Sequence, residues 1–316
     1  MNCEFQSGFA EPIKDLLKYR AAMGRSIEYY QSSLANFDRF CAKHFPGESV
    51  LTEAISLAWC NDANGNGGTQ RGSALRGLAQ HLLAEGQDAY VLPAMFFPPK
   101  EADLPQIFND EELKRFFEAT DNYPHRKINM LLKYTVPVIF RLQYSCGLRP
   151  QEVRLLQRLD FDFSDDTIYI AGGKNRKDRK LPVDTDVMEM CRNYDRIAET
   201  ITPGRTPFFP SPSGKAYSKW WLTHIFHKCW EVSGNNPIRG NCTPYSLRHN
   251  FAAHLLTRWM EEKKDIDSLL IYLSTYMGHA SFNSTYYYLS LLPQRLSGMP
   301  FMSVEGVIPI IQEGNL

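Results

Sequence analysis

Four short stretches of this chain hold residues suited to chemistry on an anion. In Gly147-Leu148-Arg149-Pro150-Gln151-Glu152-Val153 an arginine stands between a glycine that can end one helix and a proline that suits the first turn of the next. A helix entrance presents free backbone N–H groups and a positive dipole end, a setting that favours a phosphate or carboxylate. Lys174-Asn175-Arg176-Lys177-Asp178-Arg179-Lys180 places five basic residues among seven at the tip of an expected hairpin, where they can reach phosphates. In Thr243-Pro244-Tyr245-Ser246-Leu247-Arg248-His249 a threonine can cap a helix that starts with proline, and Tyr245 and Arg248 share one face near its N-terminus. Last, Gly278 precedes His279 on a connection, and Tyr286, Tyr287 and Tyr288 follow on an expected helix. Successive helical residues point about 100° apart, so only one of the three tyrosines can face a given site. Taken singly, each stretch also reads as ordinary structure: a capped turn, a solvated tip, a capped helix, packed aromatics.

Together, and in this chain order, the four stretches resemble the boxes of the tyrosine recombinase (phage integrase) family. A GLR-x-x-E box is similar to Gly147, Leu148, Arg149 and Glu152. A G-K-x-x-K-x-R turn is similar to Gly173, Lys174, Lys177 and Arg179, with Leu181-Pro182 after it. A TPH-x-LRH-x-FA box is similar to Thr243, Pro244, Leu247, Arg248, His249, Phe251 and Ala252. The third box holds a histidine with the nucleophile nine positions later, here His279 and Tyr288. The likeness covers roughly Asp110 to Leu292. One departure is plain: Tyr245 stands where the family has histidine. Tyrosine keeps a hydrogen-bond donor but is a poor base at neutral pH, so either Tyr245 only positions the phosphate or activity is reduced. His249 matches the family's ordinary Arg-His pair.

The resemblance implies transesterification at a DNA phosphodiester through a 3′-phosphotyrosyl link to Tyr288, with no cofactor. Arg149 and Arg248 stabilise the extra negative charge of the transition state. Lys174 protonates the departing 5′-oxygen, and His279 bonds a non-bridging oxygen or helps deprotonate Tyr288. Arg176, Lys177, Arg179 and Lys180, and Arg71 and Arg76 in the N-terminal part, are the candidate DNA contacts. The implied partners are double-stranded DNA with paired recombination sites and three further copies of the chain, a homo-tetramer on DNA. Accessory DNA-bending or sister recombinase proteins complete the list.

Elements must hold these residues in place. The expected class is mainly α with a small antiparallel β-sheet (α+β): a helical core-binding domain over residues 1–90, a linker over 91–106, a catalytic domain over 107–292 and a tail over 293–316. The resemblance implies a C-shaped clamp on DNA, with the tail, including Val307 to Ile311, docking on a neighbour. Periodicity predicts helices over Ser26–Phe45, Thr52–Cys60 and Ser73–Glu85, with a Gly-rich loop over Asn61–Gly68. Pro93, Pro98, Pro99 and Pro105 mark the linker. A helix starts after Asn109 or Asp110. Another, over Ile128–Ser145, carries Pro137, which is expected to kink or split it. Asp166–Ala171 and Lys180–Val183 read as paired strands, and Trp220–Trp230, Leu247–Trp259 and Ile266–Tyr276 as helices.

The totals constrain rather than decide. Lys plus Arg and Asp plus Glu both number 35, so DNA binding must rest on local clusters, not on net charge. The cysteines number 7, are scattered and form no CxxC pair, which reads as reduced thiols of a cytoplasmic protein without a zinc site; the resemblance implies a bacterial, nucleoid-associated protein. No signal peptide and no membrane-spanning run are expected. Asp160, Asp162, Asp165 and Asp166 read as a solvated turn, so no metal is expected. Two other functions keep the same boxes. A type IB topoisomerase shares the chemistry, though the short length argues against it. Tyr245 motivates a catalytically weak DNA-binding subunit working beside sister recombinases. A helical scaffold without nucleic acid leaves the ordered boxes unexplained.

Overall fold

The structure is a computed structural model that describes residues 5–25, 27–62, 68–96, 105–124, 129–171, 178–237, 242–279 and 281–289. Lys174, Arg176, Lys177 and the whole of 293–316 lie outside the described residues. The chain divides into two units, Met1–Ala102 and Asp103–Leu316.

Among the described residues the first unit packs four α-helices: α1 (Ala10–Ala22), α2 (Glu28–His44), α3 (Glu53–Asn61) and α4 (Gly68–Ala84). Phe37 sits at their centre, its ring 5.2 Å from Phe9 and 5.1 Å from Trp59. Burial of such rings supplies the driving force, about 1.5–3 kcal/mol for each fully buried side chain. Thr52 starts α3 as expected, its hydroxyl accepting from the Ile55 amide at 3.3 Å. Asp38 is buried but satisfied: it accepts from the amides of Gln6 and Ser7 and from the Ser7 hydroxyl, which pins the start of the chain to α2. Two features differ from expectation. Helix α1 was not among the elements that periodicity marked, and α4 begins at Gly68 rather than Ser73. Gly68 and Gly72 are buried in α4, where small residues allow close packing.

In the second unit Asn109 caps α5 (Asp110–Asp121) through a reciprocal pair: its side chain accepts from the Glu112 amide and Glu112 accepts from the Asn109 amide. Helix α6 (Leu132–Ser145) runs through Pro137 without splitting. The short α7 (Pro150–Leu155) follows, then β1 (Phe161–Asp162), β2 (Thr167–Ile170) and β3 (Arg179–Pro182). The three strands form one antiparallel sheet in that order, with Ile168 opposite both Phe161 and Leu181. Among the described residues five helices follow: α8 (Thr185–Ile201), α9 (Lys219–Val232), α10 (Tyr245–Glu261), α11 (Ile266–Met277) and α12 (Asn283–Leu289). The class is therefore mainly α with a small antiparallel sheet, as the sequence implied. Phe116, Phe140, Phe226 and Trp230 make the aromatic centre of its core. Fully buried Asn250 ties α10 to the segment before α5, accepting from the Phe108 amide at 2.6 Å and donating to the Gln106 carbonyl at 3.1 Å. Among the described residues, no helix is long and apolar enough to cross a membrane, and no three His, Cys, Asp or Glu side chains gather as metal ligands.

Candidate active site

Arg149 owes its place to the turn between α6 and α7. Gly147 ends α6 with φ +57°, and a side chain there would strike the Phe251 ring, its Cβ only 2.4 Å from Cδ1. Pro150 then opens α7, with Arg149 at its N-cap. Glu152 reaches back to the Arg149 amide at 2.8 Å and to its Nη1 at 2.7 Å. The other terminal nitrogen, Nη2, donates to the Gly278 carbonyl at 2.6 Å.

Arg248 sits one turn into α10. The Thr243 hydroxyl accepts from the Tyr245 amide at 3.3 Å, and Pro244 already has helical backbone angles, so this entrance is built as the sequence suggested. Arg248 is completely buried. It donates through Nη1 to the Gly147 carbonyl at 2.7 Å and through Nη2 to the Met277 carbonyl at 2.8 Å. Its Nε has no hydrogen-bond partner among the described residues. Burial, then the neighbouring Arg149 charge, weaken its hold on its proton. A buried guanidinium beside a second one makes a setting that favours an anion.

His279 follows the end of α11. Gly278 takes the left-handed conformation at φ +65°, the His279 amide donates to the Ser274 carbonyl and the Gly278 amide to the Thr275 carbonyl, which together make a Schellman motif. The His279 ring bonds Thr285 through Nδ1 at 2.7 Å, which leaves Nε2 for another partner. Burial and the charges of Arg248, Arg149 and Arg179 push its pKa down to about 3, so the ring is neutral at pH 7.

Of the three adjacent tyrosines on α12, Tyr286 is exposed and Tyr288 is buried. The Tyr288 ring stacks near His279, centroids 5.9 Å apart, and lies 5.6 Å from His249. Burial pushes its pKa up to about 12, against the opposing pull of Arg248. Arg149, Arg248, His279 and Tyr288 thus converge from four separate elements. Tyr245 is on the rim, 37% exposed, with its ring 4.9 Å from that of His249. Beside Arg149 opens a cleft of about 380 Å³, lined by residues that include Gln151, Arg154, Lys219, Thr243 and Tyr245.

The remaining candidates fall differently. Arg179, grouped with the basic tip as a DNA contact, points inward: its Nη1 and Nη2 each donate at 2.9 Å to the two oxygens of Glu152, and Nε donates to the Tyr276 carbonyl at 3.0 Å. The cause is strand alternation, since Leu181 two residues on is buried and Arg179 shares its face. Lys180 takes the opposite face, exposed and paired with Asp165 at 2.8 Å. Arg71 is also turned inward, donating to the Trp59 carbonyl at 2.6 Å with its guanidinium over the Trp59 ring. Arg76 donates to the Pro93 carbonyl at 3.2 Å. Glu152 was quoted as part of a box but given no role, and it proves to be the hub of the site. Burial favours its protonated form, but hydrogen bonds and charge from Arg179, then Arg149, overcome this and bring its pKa to about 2. The signal was available: a glutamate at the third helical position after Arg149, where its carboxylate can reach back to the Arg149 amide.

Two arginines, a neutral histidine and a buried tyrosine thus meet on this helical scaffold, an arrangement that favours an anion beside a phenol. The chain belongs to the phage integrase family, the tyrosine recombinases, whose model matches residues 106–295. It is 26% identical over 294 residues to y4rE of Sinorhizobium fredii, an integrase/recombinase by name, in a match that spans 90% of this chain and 93% of that protein. Its fold is similar to XerH recombinase in a post-cleavage complex with a palindromic difH substrate, at TM-score 0.64 and 22% identity, covering 90% of this chain and 81% of that one. It is also similar to a lambda integrase tetramer bound to a Holliday junction, at TM-score 0.61 and 15% identity, covering 88% of this chain and 76% of that one.

Proposed function

We propose that this chain is a site-specific DNA recombinase that cuts and rejoins strands through a covalent bond between Tyr288 and a 3′-phosphate. The observation that carries this reading is the meeting of Arg149, Arg248, His279 and Tyr288, with the Arg248 Nε buried and unpartnered among the described residues. The Tyr288 hydroxyl gives up its proton to solvent as its oxygen attacks phosphorus, the P–O5′ bond breaks, and the 5′-oxygen takes up a proton and leaves as a hydroxyl. A 5′-hydroxyl from the same or a partner duplex then attacks the phosphotyrosine and frees Tyr288. The phosphodiester energy is kept in the protein–DNA link, so rejoining needs no nucleotide. Arg149 and Arg248 hold the non-bridging oxygens as charge builds on them. In the tautomer that carries its hydrogen on Nε2, His279 accepts from Thr285 at Nδ1 and donates to the same phosphate. Lys174 is the proton donor to the leaving oxygen by resemblance.

The DNA is double-stranded, with paired recombination sites. Its backbone tracks from the scissile phosphate into the cleft beside Arg149, where Lys219 and the positive ends of α9 and α10 favour further phosphates. Lys180, Arg176 and Lys177 contact the backbone from the hairpin. Four copies assemble on two sites, with accessory or sister proteins joining where the element requires them. The weak-subunit reading rests on Tyr245 alone.

The test is capture of detergent-resistant protein–DNA complexes from cells expressing wild type or Tyr288→Phe, with sequencing of the attached ends. Adducts at a defined site in wild type and none in the variant are expected. Formaldehyde-detected occupancy without any adduct in wild type points to the weak subunit instead.

A further inference from the structure

Three consecutive backbone carbonyls each accept a guanidinium from a different part of the chain. Tyr276 takes Arg179 Nε from β3, Met277 takes Arg248 Nη2 from α10, and Gly278 takes Arg149 Nη2 from the entrance of α7. The way α11 stops explains the order. Its Schellman motif uses the carbonyls of Ser274 and Thr275, and the next carbonyls have no partner within their own helix. They lie at the negative end of the helix dipole, which draws cations. Arg179 differs from the other two arginines in that each of its three nitrogens is engaged by protein: two by Glu152 and one by Tyr276. Glu152 in turn holds the Arg149 amide and side chain. The packing is close, since a Cβ on Gly278 would stand 3.0 Å from Arg179 Nη1.

On the reading above, in which Arg149 and Arg248 hold the scissile phosphate, we propose that Arg179 is a positioning residue. It joins β3 to the end of α11 and, through Glu152, to Arg149, and so fixes where both phosphate-holding guanidiniums and His279 stand. It acts through the protein and does not touch DNA. The role demands a planar fork with donors in three directions; a lysine supplies the charge but only one point of attachment.

The experiment compares wild type, Arg179→Lys, Arg179→Ala and Tyr288→Phe as full-length chains. In cells, detergent-resistant adducts and formaldehyde-crosslinked occupancy are counted at the same loci, and their ratio reports chemistry per bound molecule. Both Arg179 variants should keep their occupancy and lose about 100-fold in the ratio, the scale of an ångström's misplacement of a reacting geometry. Restoration by lysine means that charge alone is needed and overturns the proposal. Occupancy that collapses with the adducts also overturns it, because Arg179 is then a DNA contact or a general stabiliser. Hydrogen–deuterium exchange on the purified chains gives a readout without DNA. The peptide over 274–279 should exchange faster in Arg179→Ala while the α10 peptide over 250–256 does not change. Unaltered exchange at 274–279 refutes the proposal even if wild type forms no adduct, a result that by itself would count only against the recombinase reading.

Discussion

Glu152→Gln tests the electrostatics at the heart of the site. The wild-type carboxylate is almost wholly buried between two guanidiniums, its side chain 6% exposed. Its pKa falls from an ordinary 4.5 to about 2. A depressed carboxylate stabilises the fold fully above its unfolded pKa, and that stabilisation is lost as pH falls through the folded pKa. The shift corresponds to about 3 kcal/mol at pH 7 and to about half of that at pH 3, with each pKa unit worth about 1.4 kcal/mol. Glutamine keeps the shape, cannot ionise, and leaves Arg149 and Arg179 without a counter-charge. Urea unfolding of both proteins at each pH measures the gap between them. The gap should be about 3 kcal/mol at pH 7 and shrink towards pH 3, because wild type weakens there and the variant has nothing at this position to lose. A gap that is the same at both pH values, or under about 1 kcal/mol at pH 7 as for an exposed pair, refutes the argument.

Because His279 is neutral well below physiological pH, the rate of adduct formation should pass without an inflection through about pH 6.5, where a free imidazole titrates. An inflection there in single-turnover cleavage means that His279 works as a cation. Tyr245→His supplies an acid–base group at the rim and should raise the cleavage rate, up to the roughly 100-fold such a group contributes. A fall in rate shows instead that the phenol itself is required. Asn250→Ala strands the buried Phe108 amide and should cost about 1–3 kcal/mol in urea unfolding. A loss under about 0.5 kcal/mol, typical of a surface change, counts against that account.

The site was legible where its chemistry is tied to local punctuation. Gly147 and Pro150 bracket Arg149, Thr243 and Pro244 open the helix of Arg248, and Gly278 closes the helix before His279, all within a few residues of the groups they place. The family resemblance points to the tyrosine nine positions after His279, which is Tyr288, and burial separates Tyr288 from Tyr286. What was not legible depends on partners distant in sequence. Arg179 reads as one more cation in a basic run until Glu152 is seen opposite it, 27 residues away. The alternation around buried Leu181 was a local clue that the dense charge obscured. Arg71 was hidden in the same way, since its partner Trp59 lies across a glycine-rich stretch. Helix α1 was missed because its buried set is only Ile13, Leu16 and Leu17, too short a stripe to stand out. Strand β1, two residues long, owes its existence to pairing with β2 rather than to its own pattern.

The cysteines carry a practical consequence. Cys41, Cys60, Cys146, Cys191, Cys229 and Cys242 are all free and buried. Burial holds the pKa of Cys60 and Cys242 at about 11 and those of the other four higher still. It is the thiolate that attacks an alkylating reagent, so these positions stay inert in the folded chain at neutral pH. Leu159, by contrast, is 93% exposed in the turn before β1. With Cys3 replaced by serine, Leu159→Cys therefore offers a maleimide handle for a fluorophore while those six native thiols stay in place, and the second unit can be watched as the chain engages and leaves DNA.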